Sequence, residues 1–332
     1  MIIGTVTTFT RKEFFETSNP SEIINYKLMI PTYFILTLFI ISVHNTIKRK
    51  EFFKLFLNLA KVNNAIPNPK PSGNKTTQFS IAVFIIFLVV IHVAVLIFET
   101  WYWRMKSNVY YEALVRICKL FYMSLMVLHS SAANIVKMKL NTLTETFTRN
   151  NLRIWENSLK KPRYISLVDV SNVWNIRKIR QDYSLIYDTT QVINDVFSVS
   201  TLLVVVVYFI TLLNNMYTFY ELLNIGEDFG KKYFDKGRVV LVVFWVVHVV
   251  ASLFVISYSA QLAAGKAKQL GEQVQRQLLL SSRDLEELKL FANQLYYNKI
   301  EFSAIGFNLN LRFFCTFIMS AYTYVLVIIQ FK

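Results

Sequence analysis

The sequence predicts an all-helical membrane protein that crosses the bilayer several times. Hydrophobic residues make up 54% of its 332 residues and charged residues only 17%. The apolar residues are gathered in runs that are too long for the core of a soluble protein. Six of these runs reach the length of about 20 residues that a helix needs to cross the hydrocarbon core of a bilayer.

The six predicted membrane spans cover residues 28–47, 79–99, 110–136, 195–220, 238–262 and 306–331. Lys and Arg accumulate in three connecting loops, because 23 of the 36 basic residues lie in 48–78, 137–190 and 263–304. The segments on the opposite side hold only 10. Since basic loops stay in the cytoplasm, these three loops are predicted to face inward and the C-terminus outward.

The same alternation places residues 1–27 outside the cell. The opening sequence MIIGTVTTFT has neither a basic region nor an apolar region long enough for a cleavable signal. We therefore expect the N-terminal segment to reach the outside without processing.

The third predicted span contains two basic residues, Arg116 and Lys119. A charge inside a span is a candidate functional residue. Both residues lie near the outer boundary, however, which favours side chains that extend to the lipid headgroups.

The histidine and cysteine side chains in the spans are predicted to pack against neighbouring helices rather than to bind a ligand or a metal ion. A lone histidine such as His92, His129 or His248 more often forms a hydrogen bond between helices than contacts a ligand. The two cysteines, Cys118 and Cys315, both fall in apolar spans. They offer neither a disulfide framework nor a metal site, and we expect small buried side chains.

The second cytoplasmic loop carries a helical seam that continues into the fourth span. Its residues recur at alternating intervals of three and four and are mostly apolar: Ile176, Ile179, Tyr183, Ile186, Thr190, Ile193 and Phe197. This spacing predicts one helix that projects well beyond the bilayer. A second amphipathic helix follows at 284–300, and we expect the two to pack together in a cytoplasmic helical bundle.

Aromatic residues are frequent in the fourth and fifth spans. They are Tyr208, Tyr217, Tyr220, Trp245 and Tyr258, with His248 among them. An aromatic lining of this kind suits a small organic ligand. The same residues are also ordinary partners in helix packing, and the pattern alone leaves both interpretations open.

The last span has nearly all its polar side chains on one stripe. Thr316, Ser320, Thr323, Val327 and Gln330 fall at intervals of four, three, four and three residues, which places them on one side of a helix. An unpaired hydroxyl or amide facing lipid costs several kcal/mol, so the stripe must face protein or water.

The end of this span resembles the C-terminal signature of the insect gustatory receptors. That signature is Thr-Tyr, five apolar residues and Gln-Phe, and it matches Thr323, Tyr324, Gln330 and Phe331. Upstream residues fit the same family at Phe291, Gln294, Leu295, Phe302, Gly306, Phe307 and Leu309. Two positions depart from the family pattern, with Ile305 where cysteine is frequent and Asn310 where aspartate is frequent.

The resemblance implies a ligand-gated, non-selective cation channel that detects small tastants at the plasma membrane of gustatory neurons. In that family four subunits, identical or different, associate through a cytoplasmic anchor domain, here expected from residues 137–194 and 263–305. The final span lines a central pore, with a gate expected near Gln330 and Phe331.

The family has seven spans, so the six found here are expected to correspond to the second through the seventh. The whole chain, 1–332, then forms one transmembrane receptor domain whose tastant, sweet or bitter or other, the sequence leaves open.

Several other classes of protein are disfavoured. The chain has no phosphate-binding loop, no metal-ligand spacing and no nucleophile with a base beside it, so neither an enzyme nor a cofactor is expected. The net charge of +15 reflects basic cytoplasmic loops next to lipid and does not indicate nucleic-acid binding.

Two rival classes are a G-protein-coupled receptor and a secondary transporter. A G-protein-coupled receptor needs a further helix to return the C-terminus to the inside. A transporter would show two spans interrupted by Gly or Pro at corresponding positions.

The loop charges make the topology testable by epitope tagging. A tag added after Lys332 should be labelled on intact cells, whereas a tag inserted near Gly73 should be labelled only after permeabilisation, because basic loops are retained inside. Antibody labelling with and without detergent measures both. Labelling of the Gly73 tag on intact cells would show that the predicted orientation is wrong.

Overall fold

A computed structural model describes residues 30–66, 109–160, 166–228, 236–280 and 285–330, and six helical positions between 90 and 98. This part of the chain is almost entirely helical, as predicted. The 1–27 segment, most of the span predicted at 79–99, His92 and Phe331 lie outside the described residues.

The described residues form a series of separate helices and two short strands. In chain order they are α1 (Ile30–Ser42), a π-helical turn (Val43–Ile47), α2 (Arg49–Ala65), α3 (Val109–Lys160), α4 (Ser166–Asp228), α5 (Lys236–Leu280), α6 (Leu285–Tyr297), β1 (Ser303–Ala304), β2 (Phe307–Asn308) and α7 (Leu311–Gln330).

Three of the helices are much longer than a bilayer is thick. α3, α4 and α5 have 52, 63 and 45 residues, which corresponds to roughly 80, 95 and 70 Å at 1.5 Å per residue. A hydrocarbon core of about 30 Å therefore leaves long helical extensions on one or both sides. Within the described residues, α4, α5 and α7 contain stretches long and apolar enough to span a membrane, and α1 is a shorter apolar helix.

The last helix begins five residues later than the sequence analysis predicted. Gly306 does not start the span, because it occupies a left-handed conformation with φ 88° in the turn between β1 and β2. Glycine tolerates this conformation without steric cost. The side chain of Asn310 then accepts a hydrogen bond from the backbone N–H of Phe313 at 2.8 Å, and this cap fixes the start of α7 at Leu311.

The predicted seam on α4 is confirmed. All seven of its residues are buried, with between 0% and 7% of their surface exposed. Tyr183 donates a hydrogen bond to the carbonyl of Asn298 at 2.7 Å, and its ring lies 6.0 Å from that of Phe291 on α6. Arg180 forms an ion pair with Glu287 at 3.4 Å. α4, α5 and α6 therefore pack against one another, as expected for a helical bundle.

A buried lysine joins the α2 helix to this bundle. Lys139 on α3 is 1% exposed, and its Nζ atom donates a hydrogen bond to the carbonyl of Ile66 at 2.7 Å. That carbonyl lies at the C-terminus of α2, where the helix dipole favours a cation. Burial lowers the pKa of the Lys139 ammonium from its ordinary value, while the carbonyl stabilises the charged form.

Replacing Lys139 by Met should destabilise the protein by about 1–3 kcal/mol, because the carbonyl of Ile66 loses a buried donor. The melting temperature of the purified protein in detergent measures the effect. Lys268→Met is the control, since 81% of the Lys268 side chain is exposed and its loss should cost less than about 0.5 kcal/mol. Equal melting temperatures for both variants would contradict a structural role for Lys139.

Candidate functional site

The pore helix proposed from the sequence, α7, is attached to the rest of the chain by one narrow face. Phe317, Ala321 and Val325, four residues apart, are 7%, 0% and 5% exposed. Ring contacts with α4 hold this face, where Phe209 lies 5.4 Å from Phe317. Only 17% of the apolar stretch of α7 is buried, compared with 56% for α4 and 39% for α5. α7 therefore lies at the edge of the chain.

The polar stripe of α7 points away from this buried face. Thr316, Thr323 and Gln330 are exposed and Ser320 is half-buried, while Val327 is 41% exposed. Thr323 donates a hydrogen bond to the carbonyl of Met319 at 2.9 Å, which satisfies its hydroxyl within the helix. The amide of Gln330 needs partners outside its own helix, since a side-chain amide carries two donors and an acceptor.

A second exposed face of α7 is apolar. Met319, Tyr322 and Leu326 are 66%, 51% and 40% exposed. Cys315 lies on the same side and is also exposed, so the prediction of a buried side chain was wrong for this cysteine and right for Cys118. The helix faces its own chain on one side, and presents a polar and an apolar surface on the others.

Three of the predicted ligand-site residues come together between α4 and α5. Tyr208, Trp245 and His248 are 2%, 6% and 8% exposed. The ring of His248 lies 6.1 Å from that of Tyr208 and 5.5 Å from that of Trp245, both edge to face, which is a favourable arrangement for aromatic pairs. We call these three residues, with Tyr33, Lys119 and Tyr122, the aromatic cluster.

Lys119 turns into the aromatic cluster rather than toward the headgroups. Its Nζ atom lies 3.6 Å from the centre of the Trp245 ring and 5.8 Å from that of Tyr33. The prediction that Lys119 extends to the membrane surface is therefore wrong. The aromatic faces attract the ammonium, and such a contact contributes about 2 kcal/mol when it is shielded from water.

Tyrosine hydroxyls connect α1 to the cluster, and these were not identified from the sequence. Tyr122 donates a hydrogen bond to the carbonyl of Tyr33 at 2.8 Å and accepts one from Thr37 at 2.8 Å. The hydroxyl of Tyr33 bonds that of Thr211 on α4. The signal available in the sequence was that Tyr122 lies one helical turn after Lys119 within an apolar span.

The remaining predicted aromatic residues do not belong to this cluster. Tyr217 and Tyr220 lie nine and twelve residues beyond Tyr208, about 14 and 18 Å farther along α4, and are half-buried. Tyr258 lies thirteen residues beyond Trp245 on α5, is 45% exposed and stacks on Phe254 with ring centres 5.5 Å apart. The structure therefore separates the predicted lining into a compact centre and outlying residues.

His129 has the packing role that its sequence context predicted. It is 1% exposed, stacks on Phe197 at 5.0 Å and shares a hydrogen bond with Thr201 at 3.1 Å. Within the described residues, no group of three or more His, Cys, Asp or Glu side chains is placed to hold a metal ion.

Long helices with membrane-length apolar stretches, joined by hydrogen bonds and ring contacts across their buried faces, define a multi-pass membrane protein. A family model described as "7tm Chemosensory receptor" matches residues 1–332. The chain therefore belongs to the 7tm chemosensory receptor family, and the kinship with insect chemosensory receptors predicted from its C-terminal signature is confirmed.

Solved structures show the same fold. The insect olfactory receptor OR5 from Machilis hrabei matches with a TM-score of 0.57 and 14% sequence identity, over 95% of this chain and 83% of that one. The same receptor in complex with eugenol matches with a TM-score of 0.61 and 13% identity, over the same shares of each chain. No curated protein matches the sequence.

Proposed function

We propose that the protein is a gustatory receptor, a ligand-gated and non-selective cation channel in the plasma membrane of taste neurons. The observation that carries the proposal is the exposed polar stripe on α7. A membrane-length helix that leaves Thr316 and Gln330 uncovered by its own chain needs water or a neighbouring subunit on that side, because lipid cannot satisfy the amide of Gln330.

Four copies of α7 around one axis would give both its polar stripe and its exposed apolar face a suitable environment. The polar stripe would line a water-filled lumen, and the apolar face of Met319, Tyr322 and Leu326 would contact an adjacent subunit or lipid. The subunits are identical or drawn from related receptors. Neutral hydroxyls and amides help to solvate a passing cation but form no ring of charge, so little discrimination among monovalent cations is expected.

Assignment to taste rests on the C-terminal signature. Thr323, Tyr324, Gln330 and Phe331 match the gustatory pattern, and by that pattern the outer end of the lumen near Gln330 and Phe331 is the gate. A small organic tastant is the expected ligand. The neighbouring olfactory receptor was solved with eugenol, which supports a small-molecule ligand for this chain as well.

The aromatic cluster is the proposed ligand site, and α4 supplies its connection to the pore helix. Tyr208 faces His248 on α5, whereas the next residue, Phe209, contacts Phe317 and Tyr324 on α7 at 5.4 and 5.8 Å. Consecutive residues on one helix therefore touch both sites. A ligand that displaces Tyr208 would move the support of α7, which gives the binding energy a route to the gate.

Single cysteines can test the pore face by their reaction with a water-soluble thiol reagent. In a Cys315→Ser background, which removes the exposed native thiol, cysteines at Thr316, Ser320, Thr323, Val327 and Gln330 should each let the reagent block agonist-evoked current, since the proposed lumen holds water. Current recorded before and after the reagent, applied to open channels, measures the block.

The matched controls for this test are Ala321→Cys and Val325→Cys, whose side chains face the protein interior. Ile328 is a poorer control, because 42% of it is exposed in the single chain. Block at Ala321 and Val325 as rapid as at the polar stripe, or protection of both sets in conducting channels, would refute the pore face.

Changes in the aromatic cluster should alter sensitivity to the agonist, which is chosen from a panel of sugars, bitter compounds and eugenol. Trp245→Ala or Tyr208→Phe should raise its half-maximal concentration by about tenfold. This factor corresponds to the loss of roughly 1.4 kcal/mol of binding free energy. Maximal current and surface labelling should stay near normal. Tyr258→Ala is the control, as an exposed aromatic residue on the same helix.

Equal agonist sensitivity in the wild type and both cluster variants would assign these residues to packing alone. Responses that disappear when G-protein activation is blocked would instead favour a G-protein-coupled receptor. Substrate uptake that is not accompanied by a current would favour a transporter.

A further inference from the structure

A groove opens on the side of the protein where α1 ends. It has a volume of about 360 Å³, which lies within the range of small-molecule sites. Its walls come from α1, α2 and α3 and are mainly apolar: Ile41, Phe52, Phe53, Phe121, Leu125 and Leu128. The π-helical turn at Val43–Ile47 interrupts the chain between α1 and α2, and the groove lies beside this break.

With the spans and orientation predicted from the sequence, the groove lies at the level of the inner membrane surface. His44 in its wall shares a hydrogen bond with Ser200 at 2.6 Å, and Ser200 is five residues inside the cytoplasmic end of the predicted 195–220 span. His44 itself is three residues from the inner end of the 28–47 span. The next residues, from Lys48 onward, belong to the predicted cytoplasmic side, so the groove is bounded by lipid tails on one side and headgroups on the other.

The groove is open toward the bilayer. Ile41, Leu128 and Phe53 are 37%, 40% and 69% exposed, although each has an apolar side chain. Exposed apolar residues that form one concave surface at membrane depth call for an apolar occupant. A hydrocarbon chain satisfies this requirement.

One basic residue lines the groove, and three more lie close to it in sequence. Lys48 precedes α2, and Arg49, Lys50 and Lys54 lie in its first two turns. Glu51 is the only acidic residue among positions 48–54, so the segment has an excess of positive charge. Arg49 also lines the groove directly, and its guanidinium suits a phosphate group because its donors match the oxygen geometry.

We propose that this groove binds an anionic phospholipid of the cytoplasmic leaflet. An acyl chain lies along the apolar walls, and the phosphate and its anionic headgroup lie against Arg49 and the neighbouring lysines. Basic residues next to the inner leaflet attract anionic lipids for this reason. The bound lipid joins α1, α2 and α3 at their inner ends, so it stabilises the break between α1 and α2. The inference does not depend on channel activity.

Native mass spectrometry of the purified full chain tests the proposal. The chain in detergent is mixed with phosphatidylserine, with phosphatidylcholine of the same acyl chains, or with phosphoserine, which is the headgroup without the tails. Phosphatidylserine should bind at least fivefold more tightly than phosphatidylcholine, and phosphoserine should not compete with it at equal concentration.

Two variants separate the headgroup from the tails. Arg49→Gln should weaken phosphatidylserine binding about fivefold, which is the factor expected from one basic residue at an anionic surface. It should weaken phosphatidylcholine binding less, because that lipid shares the phosphate but has no net charge. Leu128→Trp, at a position that is 40% exposed, should fill the groove and weaken binding of both lipids. Lys268→Gln, an exposed basic residue elsewhere, should change neither. Circular dichroism of each variant checks that the fold is retained.

Three outcomes would overturn the proposal. Equal binding of the two lipids would indicate ordinary contact with the bilayer, and equal competition by phosphoserine would indicate a soluble anion site. Disulfide cross-links between copies through Phe53→Cys would show that a second copy of the chain occupies the groove.

Discussion

Helix α4 is the element on which the rest of the structure depends, since it touches every other helix that the structure describes. Its 63 residues form one uninterrupted helix, so the apolar membrane-length part and the part that carries the buried seam belong to one rigid rod. The seam from Ile176 to Phe197 gives its part of the rod a core of its own. A displacement of one part of α4 therefore moves the other part, because neither a loop nor a glycine lies between them to absorb the change.

Several polar side chains inside the apolar helix bundle form hydrogen bonds across helices, in addition to the threonine hydroxyls that bond a carbonyl of their own helix. His129 meets Thr201, Ser200 meets His44, Tyr33 meets Thr211, and Lys139 meets the carbonyl of Ile66. Each pair fixes the register of two helices, because an unmatched polar group in apolar surroundings costs free energy that a matched one does not. Helix α7 is the contrast, since its polar stripe faces away from the rest of the chain.

The proposed ligand site, pore face and lipid groove lie on different sides of the same helices. Tyr208 and Phe209 place the aromatic cluster and the pore helix on adjacent faces of α4. The lipid groove lies at the other end of the same bundle, where His44 contacts Phe197 of the α4 seam with ring centres 6.4 Å apart. The three proposed sites would all contact one rigid element, which would be a physical basis for coupling among them.

The sequence by itself determined the features that periodicity controls. Apolar runs predicted the membrane helices, the three-and-four spacing predicted the α4 seam, and the nine residues from Thr323 to Phe331 led to the family. The tertiary structure decided which faces meet. It turned Lys119 toward Trp245, exposed Cys315, moved the start of α7 to Leu311 and brought Tyr33 and Tyr122 to Tyr208. Spacing tells which side chains share a face of one helix, but contacts between helices distant in sequence depend on how the whole bundle packs, and no local pattern records that packing.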